Sequence, residues 1–327
     1  MSDSVLKSRK ALFTEKFNKF CLEKWGRELY YLEKTRKNAV IWAKYSGWTL
    51  FLVGLVIAYF LFSPDILYFL EINESYNSLQ GFDPQGSIIF KFILFPHICF
   101  IFLLISYFPV FFYKSEAKRI ILPQLISFIG DFQYIDRNNR VERNKIRNYV
   151  CNLKIFDYFS FFSCDDAFKG IYNRVPVSIS ELKLSRSSGK STVTVFQGIL
   201  ISFPSFKKFK SNTIIKSNAS SCGYLEKVNL EDPEFEKIYD VFSGDQIEAR
   251  TILTPAFMNR MVECAKKKKE RITVSFENNQ VNIAVSNYAK TWFEFSVDKP
   301  VTNMNTYREI IWELSELLQI IDALKVE

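Results

Sequence analysis

Two stretches without a formal charge dominate the first third of the chain. Tyr45–Ser63 (YSGWTLFLVGLVIAYFLFS) runs nineteen residues with no Asp, Glu, Lys or Arg, and Phe92–Tyr113 (FILFPHICFIFLLISYFPVFFY) runs twenty-two. At about 1.5 Å of rise per residue, either run as a helix covers the roughly 30 Å hydrocarbon core of a bilayer. A helix buried in a soluble core is usually shorter, so both are expected to span a membrane: helix 1 over 45–63, helix 2 over 88–113. Pro96 and Pro109 lie near the ends of the second run, where fewer helical bonds are lost, and Lys91 at its lip can snorkel. Forty-four residues rich in charge precede the first run, far more than a signal-peptide n-region, so no cleavage is expected.

Orientation follows from the flanking charges. Residues 1–44 carry eleven Lys and Arg against five Asp and Glu, whereas the loop 64–87 has no Lys or Arg and four acids, Asp65, Glu71, Glu74 and Asp83. Lys114, Lys118 and Arg119 follow the second run at once. Positive residues stay on the cytoplasmic side, which puts both termini in the cytoplasm and a short acidic loop outside. The expected location is a membrane crossed twice, with the bulk of the chain on its cytoplasmic side.

The composition narrows the chemistry. A net charge of +8, 17% aromatic residues and 33 Phe describe a folded, basic protein. The single histidine, His97, excludes any mechanism that needs two imidazoles, and its place inside the second run favours a neutral ring bonded locally over a proton relay. Six cysteines, Cys21, Cys99, Cys151, Cys164, Cys222 and Cys264, include no C-x-x-C pair, so buried reduced thiols are expected and neither a metal nor a cofactor site.

Outside the spans, the fold class expected is α+β. Residues 1–44 read as one basic amphipathic helix, with Leu6, Phe13, Phe17, Phe20, Leu29 and Leu32 at helical spacing. Its role is packing on the cytoplasmic domain or a partner, or lying on anionic lipid. Residues 114–156 read as a basic helical stalk interrupted near Gly130. From 157 to 327 the pattern is an antiparallel-sheet domain with packed helices. Val175, Val177 and Ile179 alternate, Val193 to Phe203 alternate again, and SRSSGKS between them supplies a hairpin loop. Asp232-Pro233 and Thr254-Pro255 each cap a helix, EFEKIYDVF and PAFMNRMVECAKKKK. Ile272 to Phe276 and Val281 to Val285 flank the turn ENNQ, Trp292 to Val297 read as a last strand, and Thr306 with Glu309 box the start of a closing helix. Ile310, Leu314, Leu317, Ile321 and Leu324 of that helix form a seam, read as docking on the sheet in preference to dimerisation, with a homo-oligomer as the alternative.

Few motifs carry chemistry. Gly189-Lys190-Ser191 ends like a P-loop, but Leu184 stands where the first glycine belongs and the segment joins strands, so it is a turn. Ser187 and Lys190 satisfy S-x-x-K without the helix or companion motifs that chemistry needs. Two basic clusters are candidate binding residues: Lys207, Lys208 and Lys210, interleaved with Phe206 and Phe209, and Lys266, Lys267, Lys268, Lys269 and Arg271. Anionic lipid headgroups are the nearest partner for a membrane-tethered domain, and no nucleic acid is expected. The second cluster also has a local cause, since Lys at a helix C-terminus offsets the macrodipole. Asp245, Glu248 and Arg250 are the candidate catalytic residues, two carboxylates beside a guanidinium, with a structural ion pair as the competing reading.

The blocks FIGDFQYI, DAFKGIY, ISELKL, VFQGILISF and above all NLEDPEFEKIYDVFSGDQIEARTILTPAFM, Asn229 to Met258, resemble the bacterial membrane proteins of domain-of-unknown-function family 3137. The resemblance implies the two-span topology, a bacterial origin and hence a place in the bacterial inner membrane, and no activity or catalytic residue. The function expected is therefore a scaffold or sensor whose cytoplasmic domain binds a protein partner or the anionic membrane surface. The alternative is a membrane-bound enzyme on lipid or envelope precursors.

Overall fold

A computed structural model describes residues 3–69, 84–136, 138–217, 219, 221–223, 225–267, 271–288 and 292–325. The expected outer loop thus falls largely outside the described residues, as do the side chains over more than half of the two charge-free runs. Among the described residues no helix is long and apolar enough to cross a membrane. The chain divides into two compact units: Met1–Lys24, Lys118–Glu294 and Met304–Glu327 make the first, and Trp25–Ala117 with Phe295–Asn303 make the second.

The single amphipathic helix expected over 1–44 is two. Helix α1 (Asp3–Lys24) ends before Trp25, and α2 (Gly26–Phe69) opens on a glycine, the residue that a helix interior tolerates worst after proline. Helix α2 overruns the expected boundary at Ser63, and α3 (Pro84–Ile126) begins inside the expected loop. In the second unit, Glu33 and Arg36 sit one turn apart on α2 and pin the segment 295–303. Arg36 grips Glu33 through Nη2 and Nε at 2.7 and 2.9 Å and donates Nη1 to the Val297 carbonyl at 2.8 Å. Glu33 also accepts the Val301 N–H at 2.9 Å.

The first unit is built on a nine-stranded antiparallel sheet. Its strands are β1 (Asp131–Tyr134), β2 (Phe161–Tyr172), β3 (Val175–Ser188), β4 (Ser191–Pro204), β5 (Thr213–Ser217), β6 (Glu226–Val228), β7 (Tyr239–Ser243), β8 (Arg271–Glu277) and β9 (Gln280–Ser286), in the order β1-β2-β3-β4-β9-β8-β5-β7-β6. The helices packed on it include α4 (Arg140–Asn152), α5 (Pro233–Glu236), α6 (Gln246–Ile252), α7 (Pro255–Lys267) and α8 (Met304–Lys325). One sheet face forms a core with α4, in which Ile146 and Val150 meet Leu182, Leu184, Leu200 and Ala284. The opposite face carries Phe168, Ile179, Ile199, Ile201 and Ile283, each fully buried, with Phe293 stacked edge-on to Phe168 at 5.2 Å. Burial on both faces explains why the central strands read as nearly continuous apolar runs.

Several sequence expectations give way here. The stretch expected as a solvated stalk contributes edge strand β1 and the docked helix α4, because Phe132, Ile146 and Val150 have a sheet to bury against. The alternation along β4 slips: Leu184 pairs Phe196 but Ser185 pairs Thr194, so Val195 is an extra residue and the phase read from Val193 through Phe203 breaks there. The loop SRSSGKS shrinks to a turn at Gly189 and Lys190, with Gly189 at φ 61°. The helix expected over EFEKIYDVF stops after one turn and becomes β7, whose Tyr239, Val241 and Phe242 are all buried. Trp292–Val297 is not a strand, although Trp292 and Phe293 are buried. Helix α8 starts at Met304, so Thr306 lies inside it and not at its start.

Other local devices stand. Asp232 accepts the N–H groups of Glu234 and Phe235, both at 3.0 Å, and Thr254 Oγ1 accepts that of Phe257 at 3.3 Å. Asn278 and Asn279 take φ 52° and 58° in the β8–β9 turn, the left-handed pair that a two-residue hairpin needs. Helix α8 docks within its own unit, where Arg260 of α7 donates Nη2 to the Glu316 carbonyl at 2.9 Å and to Gln319 Oε1 at 2.7 Å.

Candidate functional site

Each expected catalytic residue has a place in the scaffold. Asp245 caps α6 by accepting the N–H groups of Ile247 at 2.9 Å and Glu248 at 3.1 Å. The Glu248 carboxylate takes the successive N–H groups of Lys210 and Ser211 at 2.8 and 2.9 Å, holding the lysine-bearing loop. Arg250 Nη2 donates to the Asn229 carbonyl at 3.2 Å. The three side chains thus address three different backbone targets. In the first basic cluster Lys207, Lys208 and Lys210 are exposed, while Phe209 packs edge-on against Phe276 at 5.5 Å. Lys266 pairs with Glu234 and Arg271 is exposed. Lys268 and Lys269 lie outside the described residues, as does the Lys267 side chain.

Beneath α4 the sheet opens into a groove of about 570 Å³. Its floor includes Ser178, Ser180 and Ser202, and register continues a polar row across the sheet: Lys169 faces Ser178, Ser178 faces Ser202, Ser202 faces Asn282, and Asn282 faces Ser275. Small side chains in a row leave room that Leu or Ile would fill. Tyr149 of α4 and Ser202 both donate to Asn282 Oδ1, at 2.6 and 2.8 Å, and Asn282 Nδ2 donates to Ser275 Oγ at 3.2 Å. Ser275 in turn donates to Glu277 at 3.1 Å. Burial raises the Glu277 pKa, with the Ser275 and Lys154 contacts opposing it. Ile146 and Leu200 supply apolar lining, and Lys145 and Lys169 stand at the rim around the single carboxylate of Glu142. Hydrogen bonds from those two lysines hold the Glu142 pKa down to about 2. Two cations against one anion leave the rim positive. The groove offers hydroxyls, apolar wall and positive rim, the makings of a binding site.

On the other face lies a buried charged cluster. Between Cys164, paired with Leu182, and Ala167, paired with Ser180, two residues of β2 oppose one of β3. Asp165 and Asp166 thereby share the position opposite Glu181, a bulge that aims carboxylates at a carboxylate. Lys118 Nζ reaches Asp166 at 2.7 Å, Asp165 at 2.8 Å and Glu294 at 2.9 Å. Tyr134 donates its hydroxyl to Asp166 at 2.9 Å. Burial works against the Lys118 charge, but Asp166 and Glu294 outweigh it and raise its pKa. Glu181 is 6% exposed; its one oxygen accepts the Trp292 N–H at 2.9 Å and its Oε2 has no hydrogen-bond partner among the described residues. Burial first, then the neighbouring Asp166 and Glu294, push its pKa up to about 7 against the pull of Trp292 and Lys118.

None of these cluster residues was singled out by motif, yet one signal was available. Glu181 sits in phase with Val175, Val177 and Ile179, the face of β3 that alternation marks as buried. A lone acid on such a face requires a partner.

Residues 194–326 match the family model described as "Protein of unknown function (DUF3137)". That stretch contains the Asn229–Met258 block and agrees with the resemblance drawn from it. The family carries no assigned activity. No curated protein matches the chain. Among solved structures it is similar to the crystal structure of the mycobacterial trehalose monomycolate transport factor A, TtfA, at 10% identity, over 60% of this chain and 90% of that chain, with a TM-score of 0.32. A likeness at that score carries no argument about function.

Proposed function

We propose that the protein is a membrane-anchored binding protein whose sheet domain takes an anionic amphiphile, a lipid with a negatively charged headgroup, into the groove beneath α4. The observation that carries this reading is the groove itself: about 570 Å³, within the ordinary range for ligand sites, with apolar walls, a floor of serine hydroxyls and a positive rim. Acyl chains match Ile146 and Leu200, and a phosphate or carboxylate headgroup matches Lys145 and Lys169. The exposed Lys207, Lys208 and Lys210 add headgroup attraction at a bilayer surface, an electrostatic term that salt screens.

The anchor in this reading is the pair of charge-free runs, each carried within a long helix. Leu52, Val53, Leu55 and Val56 of α2 and Phe108, Phe111 and Phe112 of α3 are exposed apolar side chains, a surface that lipid would cover. The charge asymmetry around the runs supports cytoplasmic termini in a bacterial inner membrane.

The test uses the full chain in nanodiscs with a photoactivatable phosphatidylglycerol probe. Labelling is expected on 145–149, 176–180 and 200–204, and is expected to be lost in Ser178→Trp, which fills the groove floor. Labelling that Ser178→Trp leaves unchanged, or equal labelling by a phosphatidylcholine probe, would refute the groove. Release of the intact chain from membranes by an alkaline carbonate wash would refute the anchor.

A further inference from the structure

We propose that the β2–β3 bulge is a binding site for a hard divalent cation, held by one oxygen each from Asp165, Asp166 and Glu181. The site lies on the sheet face opposite the groove and does not rest on the reading of that groove.

The geometry is that of an incomplete oxygen cage. One carboxylate oxygen from each of the three residues lies within 4.8 Å of the other two. Opposite ligands of a Ca²⁺ ion, at about 2.3–2.6 Å from the metal, stand about 4.6–5.2 Å apart, so the three oxygens can share one ion with side-chain adjustment. Two of the three already have their orientation set, Asp165 and Asp166 by Lys118 at 2.8 and 2.7 Å, and Asp166 also by Tyr134 at 2.9 Å. Behind them Arg143 holds the bulge backbone, donating to the carbonyls of Cys164 and Asp165. The bulge is thus braced from the main chain as well as from the side chains.

The charge balance points the same way. Asp165, Asp166 and Glu294 share the ammonium of Lys118, and the Glu181 carboxylate faces the same bulge. Like charges set opposite each other across a strand pair destabilise it, and buried charge without a partner costs more still. Glu181 is 6% exposed, contributes an oxygen to the trio, and its Oε2 has no hydrogen-bond partner among the described residues. A divalent cation shared by the three carboxylates offsets their mutual repulsion. Oxygen-only ligands select Ca²⁺, Mg²⁺ or Mn²⁺ over the softer metals.

Calorimetric titration of the full chain in detergent with CaCl₂, after chelator treatment, tests the proposal, with MgCl₂ and MnCl₂ in parallel. Saturable one-site binding of at least one ion is expected. Glu181→Gln keeps the shape of the side chain while removing its charge, so it is expected to fold and to bind at least about tenfold more weakly. Asp165→Asn, at the more exposed edge of the cluster, is a second variant expected to weaken binding. No saturable binding of any of the three ions below millimolar concentrations overturns the proposal. So does binding that Glu181→Gln and Asp165→Asn leave unchanged, since the ion then sits elsewhere.

Discussion

Arg143 of α4 donates Nη2 to the main-chain carbonyl of Asp165, 2.8 Å away, and so ties a helix on one sheet face to the bulge that shapes the other. The same guanidinium reaches the Cys164 carbonyl. A bulge leaves carbonyls without ladder partners, and here one planar fork supplies two donors to consecutive residues.

Arg143→Ala is therefore expected to cost about 2 kcal/mol of stability, the scale of hydrogen bonds to a charged group. Arg143→Lys is expected to recover little, because an ammonium cannot present the fork. Thermal unfolding of both variants in detergent checks the pair; full rescue by lysine would show that charge alone matters.

Stability is expected to depend on pH through Glu181. Its pKa in the folded chain is raised by burial to about 7 from an ordinary 4.5, so the folded state binds the proton more tightly than the unfolded state. The favourable contribution is complete below about 4.5, falls as pH rises toward 7 and is gone above it. Glu277, raised by burial as well, adds in the same direction. Glu142 has the opposite sign, but its pKa is lowered to about 2, so it acts only below an ordinary carboxylate's pKa. With chelator present, the melting midpoint is expected to drop between pH 5 and 8, and Glu181→Gln is expected to flatten much of that slope.

Leu317 is fully buried in α8, the helix that Arg260 of α7 ties down through the Glu316 carbonyl. Leu317→Ala is expected to destabilise the fold by about 3 kcal/mol through lost transfer energy and a residual cavity. A seam that served dimerisation would instead show its loss in chemical crosslinking, with the melting midpoint of dilute protein unchanged.

Gly198 on β4 passes so close to β9 that a Cβ there would lie 2.0 Å from the Val285 carbonyl oxygen. Gly198→Ala is expected to push the two strands apart at the centre of the sheet, at a cost of about 1–3 kcal/mol typical of overpacking. Hydrogen exchange of the amides of β4 and β9 reads the effect directly, and unchanged protection would contradict it.

How much of this was legible in advance divides along physical lines. The caps at Asp232 and Thr254, the Asn278–Asn279 turn, α7 and the apolar seam of α8 all follow from rules that act within a few residues of chain, and each is present. Strand β1 and the conversion of EFEKIYDVF into β7 were not legible, because a four- or five-residue segment takes its state from the neighbour it pairs with. Arg143 reads in sequence as one more charge in a basic run, and only a sheet placed beneath α4 turns it into a clamp.

Chain chemistry alone settled the two uncharged runs, their flanking charges, the helix caps at Asp232 and Thr254 and the Asn278–Asn279 turn, since these depend on neighbours along the backbone. Strand register settled the rest. Asp165, Asp166 and Glu181 meet because two residues of β2 are set against one of β3, and the serine row meets because five strands align it. Both arrangements join residues far apart in sequence, where only the burial energy of the assembled sheet, and no local preference, selects which side chains face one another.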